Sequence, residues 1–147
     1  MQFRQQIVLT VSALAIAIGG CSEGIIDKAD PANERAVQMG KNIYAENCAG
    51  CHGASLEGEP NWQVKKDDGT LPAPPHNDNG HTWHHDDNLL FNYTKLGGAE
   101  MLPKNIKSGM PAFAEVLSDE QIWAVLSFIK SQWSIEAQQR QSTLNKK

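Results

Sequence analysis

An all-α fold is what this sequence predicts, on three observations. Apolar residues recur at helical spacing in three separate stretches, and helix-starting residues open two of them. No stretch shows the strict alternation of a half-buried strand. Between the first two helical stretches, residues 56–85 are rich in Pro, Gly, Asn and Asp, and compact domains keep loops of that length for binding or wrapping something.

The elements follow in chain order. The opening six residues carry one positive charge, Arg4; residues 7–18 are apolar or small throughout; and Gly19-Gly20 leads into Cys21. A charged start, a short apolar run and small residues make residues 1–20 a secretory signal, too short to span a bilayer comfortably. Ile18-Gly19-Gly20-Cys21 resembles a bacterial lipobox, which implies a lipid-modified Cys21 and a periplasmic or otherwise extracytoplasmic protein anchored to a membrane. Several acyl chains on one cysteine anchor stably, because each buried methylene contributes about 0.8 kcal/mol. Residues 21–31 are polar and read as a tether.

A domain is expected over residues 32–133. Its first helix runs from Ala32 to about Ala49, with Ala36, Val37, Gly40, Ile43, Tyr44 and Asn47 at helical spacing. Gly40 costs helix propensity and so marks a close helix–helix crossing. The second helix spans residues 86–96, with Asp86 or Asp87 as cap, Leu89, Leu90, Tyr93 and Leu96 on its face, and Gly97 as stop. The third, residues 118–133, opens on a capping box of Ser118 and Gln121 and buries Ile122, Val125, Leu126, Ile129 and Trp133. Residues 134–147 are polar and are expected to fray.

Composition excludes several functions. The 147 residues are 40% hydrophobic, but the leader takes a large share, so the remainder can build only a modest core. With 20% charged residues and a net charge of −4, the chain lacks the clustered cations that a nucleic-acid partner requires. No segment after residue 20 has the run of apolar residues a membrane helix needs.

Cys48-Ala49-Gly50-Cys51-His52 is C-x-x-C-H, the attachment motif of c-type haem. Two thiols on one helical turn add across the two porphyrin vinyl groups, and the adjacent histidine then points at the iron. A bare C-x-x-C would serve equally as a redox dithiol or half a zinc site, but no second C-x-x-C and no βαβ pattern accompanies it. One covalently held haem c also supplies buried apolar surface that the chain lacks. With Cys21 lipidated and Cys48 and Cys51 on haem, no cysteine remains for a disulfide.

Downstream, Ser108-Gly109-Met110-Pro111-Ala112-Phe113 places a thioether in a loop just before the last helix, stiffened by Pro111. Met110 could alternatively fill a gap in the core. With this loop in view, the chain resembles a class I c-type cytochrome. Gly40 and Tyr44 resemble the face of that family's N-terminal helix, Gly109–Phe113 its axial-methionine loop, and Ala124-Val125-Leu126-Ser127-Phe128-Ile129-Lys130 its C-terminal helix. The resemblance covers roughly residues 32–133. It implies about three to four helices and long loops around one haem, one-electron transfer without bond chemistry, and iron held by His52 and Met110. Gly58-Glu59-Pro60-Asn61 resembles the loop whose proline carbonyl, here Pro60, accepts from the axial histidine's other ring nitrogen. Trp83 resembles an indole that donates to a haem propionate, although burial without that bond is an equal reading.

Residues 72–87 hold His76, His81, His84 and His85 among Asn and Asp. Imidazoles with carboxylates suit copper or zinc, and the rival function is therefore a haem-based small-ligand or metal sensor using a labile Met110 or the His81/His84/His85 loop. The bland reading is a polar loop whose histidines cap, bond or face solvent. No nucleophile–base pair suggests an enzyme. The expected partners are redox proteins meeting a monomer at the haem edge, where Lys65, Lys66, Lys95, Lys104 and Lys107 cluster in sequence around the ligand segments.

Overall fold

The computed structural model describes residues 24–146, so the leader and Cys21 lie outside the described residues. Helix α1 spans Glu34–Asn47 and starts where Asn33 caps the Ala36 N–H at 3.1 Å. A single further turn, α2 (Ala49–His52), follows at once. Helix α3 spans Asp87–Leu96, capped by Asp86 and stopped at Gly97, and the short α4 covers Gly98–Met101. Helix α5, Asp119–Ser131, opens on the expected reciprocal bonds between Ser118 and Gln121. The chain is thus mainly helical, with loops carrying most of the remainder.

The core forms where α1 crosses α5. Ala36, Ile43 and Tyr44 from one side meet Ile122, Ala124, Val125, Leu126, Phe128 and Ile129 from the other, all buried. The stripe expected on α5 is the one that faces inward, and Trp133, two residues past the helix end, is buried with it. At the crossing a Cβ on Gly40 would fall on the carbonyl oxygen of Ala124 and lie 2.9 Å from Phe128 Cβ, so only glycine lets the backbones approach. Gly40 is the crossing point that its sequence position suggested.

Four features depart from the sequence reading. Two strands of two residues, β1 (Thr70–Leu71) and β2 (Lys107–Ser108), pair in parallel and tie the long loop to the segment before Met110. They are too short to leave an alternating pattern. Residues 24–31 are not a loose tether: Ile26 and Ala29 are buried, and the Asp30 N–H donates to Ser127 Oγ at 2.9 Å on α5. On α3, Leu89 and Leu96 remain at the protein surface. Leu90 packs against the core as expected, and it is joined there by Phe91, whose ring stacks on Trp123 of α5 at 4.3 Å. The polar tail does not fray, because Ile135–Leu144 forms helix α6 with Ser134 as its cap. The only polar residue on α6 with no exposed surface is Gln141, which donates to the His85 carbonyl at 3.1 Å and Asp87 Oδ1 at 2.7 Å.

Lys130 joins three of these elements. Its ammonium donates to the Ala29 carbonyl at 3.2 Å and to both carboxylate oxygens of Asp87 at 2.8 Å, which satisfies its three donors. The two side chains are only 7% and 18% exposed. Removing one partner of a buried pair leaves the other charge uncompensated and costs about 3–5 kcal/mol. Lys130→Met should therefore lower stability toward that range in urea unfolding, with Lys130→Met, Asp87→Leu recovering part of it. A Lys130→Met protein as stable as the parent would contradict the bonding described here.

Candidate metal centre

Of the two haem-motif cysteines, Cys48 joins α1 to α2 and Cys51 lies within α2. The Cys48 N–H donates to the Tyr44 carbonyl at 2.9 Å, continuing the helix, and the His52 N–H donates to the Cys48 carbonyl at 2.9 Å. One helical turn therefore carries Cys48, Cys51 and His52. Both thiols are free; Cys51 is exposed and Cys48 is partly buried. Burial, helped by the neighbouring Cys51, pushes the Cys48 thiol up to about 11, so it is protonated at neutral pH. Gly53, at φ 82°, ends the turn, and the Tyr44 hydroxyl donates to its carbonyl at 2.9 Å. Burial raises the Tyr44 phenol well above its ordinary value.

His52 is buried, and its Nδ1 lies 2.8 Å from the carbonyl oxygen of Pro74. A carbonyl only accepts, so Nδ1 carries the proton and Nε2 keeps its lone pair. Burial lowers the His52 pKa, while the Pro74 carbonyl and the charge of Glu59 pull the other way. That leaves His52 with one ring nitrogen committed to the protein and one bare.

Pro74 corrects the expectation for Pro60. The chain turns sharply through Leu56, Gly58 and Asn61, all at positive φ, and folds residues 72–77 back along residues 56–59. The Glu59 N–H donates to the Ala73 carbonyl at 2.9 Å, and the Ala73 N–H donates to Glu59 Oε2 at 2.6 Å. A Cβ on Gly58 would sit 2.5 Å from Pro75 N, so the two segments touch along their backbones. Pro74, not Pro60, is thereby brought over the imidazole.

The same turn delivers His76. Its ring stacks on His52 with centroids 3.9 Å apart and planes inclined by 23°, and its Nδ1 lies 2.9 Å from Thr82 Oγ1. Its N–H donates to the Leu56 carbonyl at 2.8 Å, and its own carbonyl accepts from Trp133 Nε1 at 2.7 Å. Burial holds its pKa well below the ordinary imidazole value.

Met110 sits in a loop held on both sides. Its carbonyl accepts from the Gly98 N–H at 3.1 Å and its N–H donates to Ser108 Oγ at 3.2 Å. The Phe113 N–H reaches the Thr94 carbonyl at 3.2 Å and the Ala114 N–H the Lys95 carbonyl at 3.1 Å. Gly97, at φ 81°, packs so closely that a Cβ would lie 2.7 Å from Ala112 N. The thioether is partly buried and packs against the core. The end of α3 is thus a mould for the Met110 loop.

The remaining sequence candidates are engaged elsewhere. Trp83 donates its indole N–H to the Asp78 carbonyl at 3.3 Å, so that bond is made within the loop. Its ring lies against His84, with the Arg140 guanidinium 5.2 Å from its centroid. His81 stacks on Trp62 and meets His85 edge-on. Among the described residues no group of three or more His, Cys, Asp and Glu side chains could hold a metal ion, so the His81/His84/His85 loop is not assembled as a copper or zinc site. Lys66 pairs with Glu59, Lys95 with Asp119, and Lys107 donates to the Asp68 carbonyl.

Pro74 and the place of His76 against His52 escaped sequence reasoning, as did the role of Gly97-Gly98. The available signal was Pro74-Pro75 itself: two residues without N–H groups cannot join a ladder, and they leave carbonyls for side-chain donors. The donor set, two thiols one turn apart with a bare imidazole nitrogen, fits covalent attachment of a porphyrin and ligation of its iron. A family model described as Cytochrome c matches residues 37–133. No curated protein and no solved structure matches the chain.

Proposed function

Because the chain belongs to the cytochrome c family and so carries covalently bound haem c, we propose that it is a one-electron carrier whose iron is held by His52 and Met110. The bound haem supplies a reversible one-electron couple. The observation that carries the ligand reading is the Nδ1 bond from His52 to the Pro74 carbonyl, which fixes the tautomer and leaves Nε2 for the iron. Cys48 and Cys51 hold the group by thioether bonds. The Gly97-Gly98 mould presents Met110 from a loop anchored on both sides, which suits a permanent ligand better than a labile one. With His52 and Met110 both holding the iron, the group would supply electron transfer without a place for substrate at the metal, which supports a carrier and not an enzyme.

The leader pattern and Cys21 support an extracytoplasmic, lipid-anchored location, and among the described residues no helix is long and apolar enough to cross a membrane. The partners are redox proteins that meet a monomer at the haem edge. Lys104, exposed and six residues before Met110, favours an acidic partner surface.

The oxidised protein should show the weak sulfur-to-iron charge-transfer band at the red end of its spectrum and a positive midpoint potential, because methionine ligation raises the potential. Met110→Ala should abolish the band and lower the potential, whereas Met39→Leu, on α1 ahead of the haem motif, should leave both unchanged. A band that survives Met110→Ala, or a clearly negative midpoint in the parent, would remove Met110 from the iron. A gas ligand binding readily to the parent's iron would favour the sensor function instead.

A further inference from the structure

The ring of His76 has no part in attachment or ligation, yet it is held against His52 more tightly than either function requires. We infer that His76 is a positioning residue that sets the rotational angle of the His52 imidazole plane about its bond to the metal, an inference that rests on His52 being the axial ligand.

The argument begins with torsional freedom. The terminal torsion of an imidazole is broad and roughly two-fold, so its ring angle is fixed by neighbours and not by the side chain itself. The bond from His52 Nδ1 to Pro74 restrains that torsion, but a single hydrogen bond tolerates some swing of the ring about its mean angle. A flat group against the ring face narrows that swing. His76 supplies that group, with centroids 3.9 Å apart and planes 23° from parallel.

The second plane is itself prevented from turning. Thr82 Oγ1 holds His76 Nδ1 at 2.9 Å, and Thr82 is buried. Tyr44 meets the His76 ring edge-on, 6.4 Å between centroids. The backbone of His76 is pinned independently through Leu56 and Trp133. Those backbone bonds do not involve the imidazole, so replacing the side chain removes the stack while the loop keeps its path. Arranging two imidazoles face to face inside the protein, with the second locked by a hydroxyl, serves orientation of the first.

The test reads ring orientation directly. In the oxidised holoprotein the hyperfine-shifted haem-methyl proton resonances depend on the plane of an axial imidazole. His76→Ala should change the spacing or order of those resonances. His76→Phe, which restores a flat ring, should return them toward the parent pattern, and Thr82→Val should shift them in the same sense as His76→Ala but less. His76→Ala with the parent pattern would overturn the inference. Should His76→Ala not accumulate as holoprotein, Thr82→Val decides: a shifted pattern supports the inference and an unchanged one overturns it. His52→Ala separates the two readings. If it abolishes the pattern while His76→Ala does nothing, His52 remains the ligand and only the role of His76 is lost. If His52→Ala leaves the parent pattern intact, His52 is not the ligand and the reading beneath it fails as well.

Discussion

Gly40→Val should yield no folded holoprotein, and Gly40→Ala should already lose about 3 kcal/mol or more. The expected sign is the opposite of what helix propensity alone gives, since alanine in a helix interior is favoured over glycine by about 1 kcal/mol. The tertiary contact decides. A methyl group at this position would fall on the Ala124 carbonyl oxygen and lie 2.5 Å from its carbon, and neither is the movable end of a side chain. Relief requires α1 and α5 to separate, which opens the packing around Ala36, Ile43, Val125 and Phe128. Overpacking ordinarily costs about 1–3 kcal/mol, and a contact against backbone lies at or beyond the top of that range. Small domains have about 5–15 kcal/mol in total, so valine exceeds what this one can lose. Urea unfolding of Gly40→Ala is the measurement, and stability equal to the parent would show that the helices can part cheaply.

The second large effect concerns retention of the haem. Either Cys48→Ala or Cys51→Ala should still hold it through one thioether, but the double variant should lose all of it on acidic organic extraction. The physical change goes further than extraction. A group bound only by contacts stabilises the fold in proportion to the logarithm of its free concentration, whereas a covalently attached group cannot be diluted away. The parent's unfolding midpoint should accordingly be independent of added haem, and the double variant's should rise with it. If the double variant keeps haem after extraction, attachment runs through some other group and the roles of Cys48 and Cys51 are wrong.

What could be read from the sequence was local chemistry. Cys48, Cys51 and His52 lie on one turn, Ser118 and Gln121 three residues apart cap one helix, and Gly40 announces its crossing by being a glycine in a helix. Each of these needs only a few consecutive residues to be recognised. Pro74 could not be separated from Pro60 in that way, because the choice depends on the positive-φ turns at Leu56, Gly58 and Asn61 and on the clip between Glu59 and Ala73. A sequence pattern specifies that a carbonyl is wanted, but the path of the chain decides whose it is. Helix α6 was hidden for a different reason. Its most buried side chain is Gln141, which reads as surface until the His85 carbonyl and Asp87 are seen to satisfy it. Hydrophobic periodicity cannot reveal a helix that docks through hydrogen bonds.

The docking of residues 26–30 along α5 sets how far the domain can stand from whatever holds its N-terminal side. A free segment from residue 21 to residue 31 would allow an extension of about 35 Å, at roughly 3.5 Å per residue. With Ile26 buried and the Ile26 N–H directed at Glu120 at 3.4 Å, the chain from residue 21 to the docked segment can reach at most about 17 Å. If Cys21 carries lipid, the protein would therefore ride close to the bilayer instead of sweeping a wide volume above it. Its tumbling would be restricted, so the orientation in which the haem edge meets a partner would be chosen partly by the membrane plane. A redox partner embedded in that membrane, or docked shallowly on it, would lie within range; one free in the surrounding space would have to approach the surface.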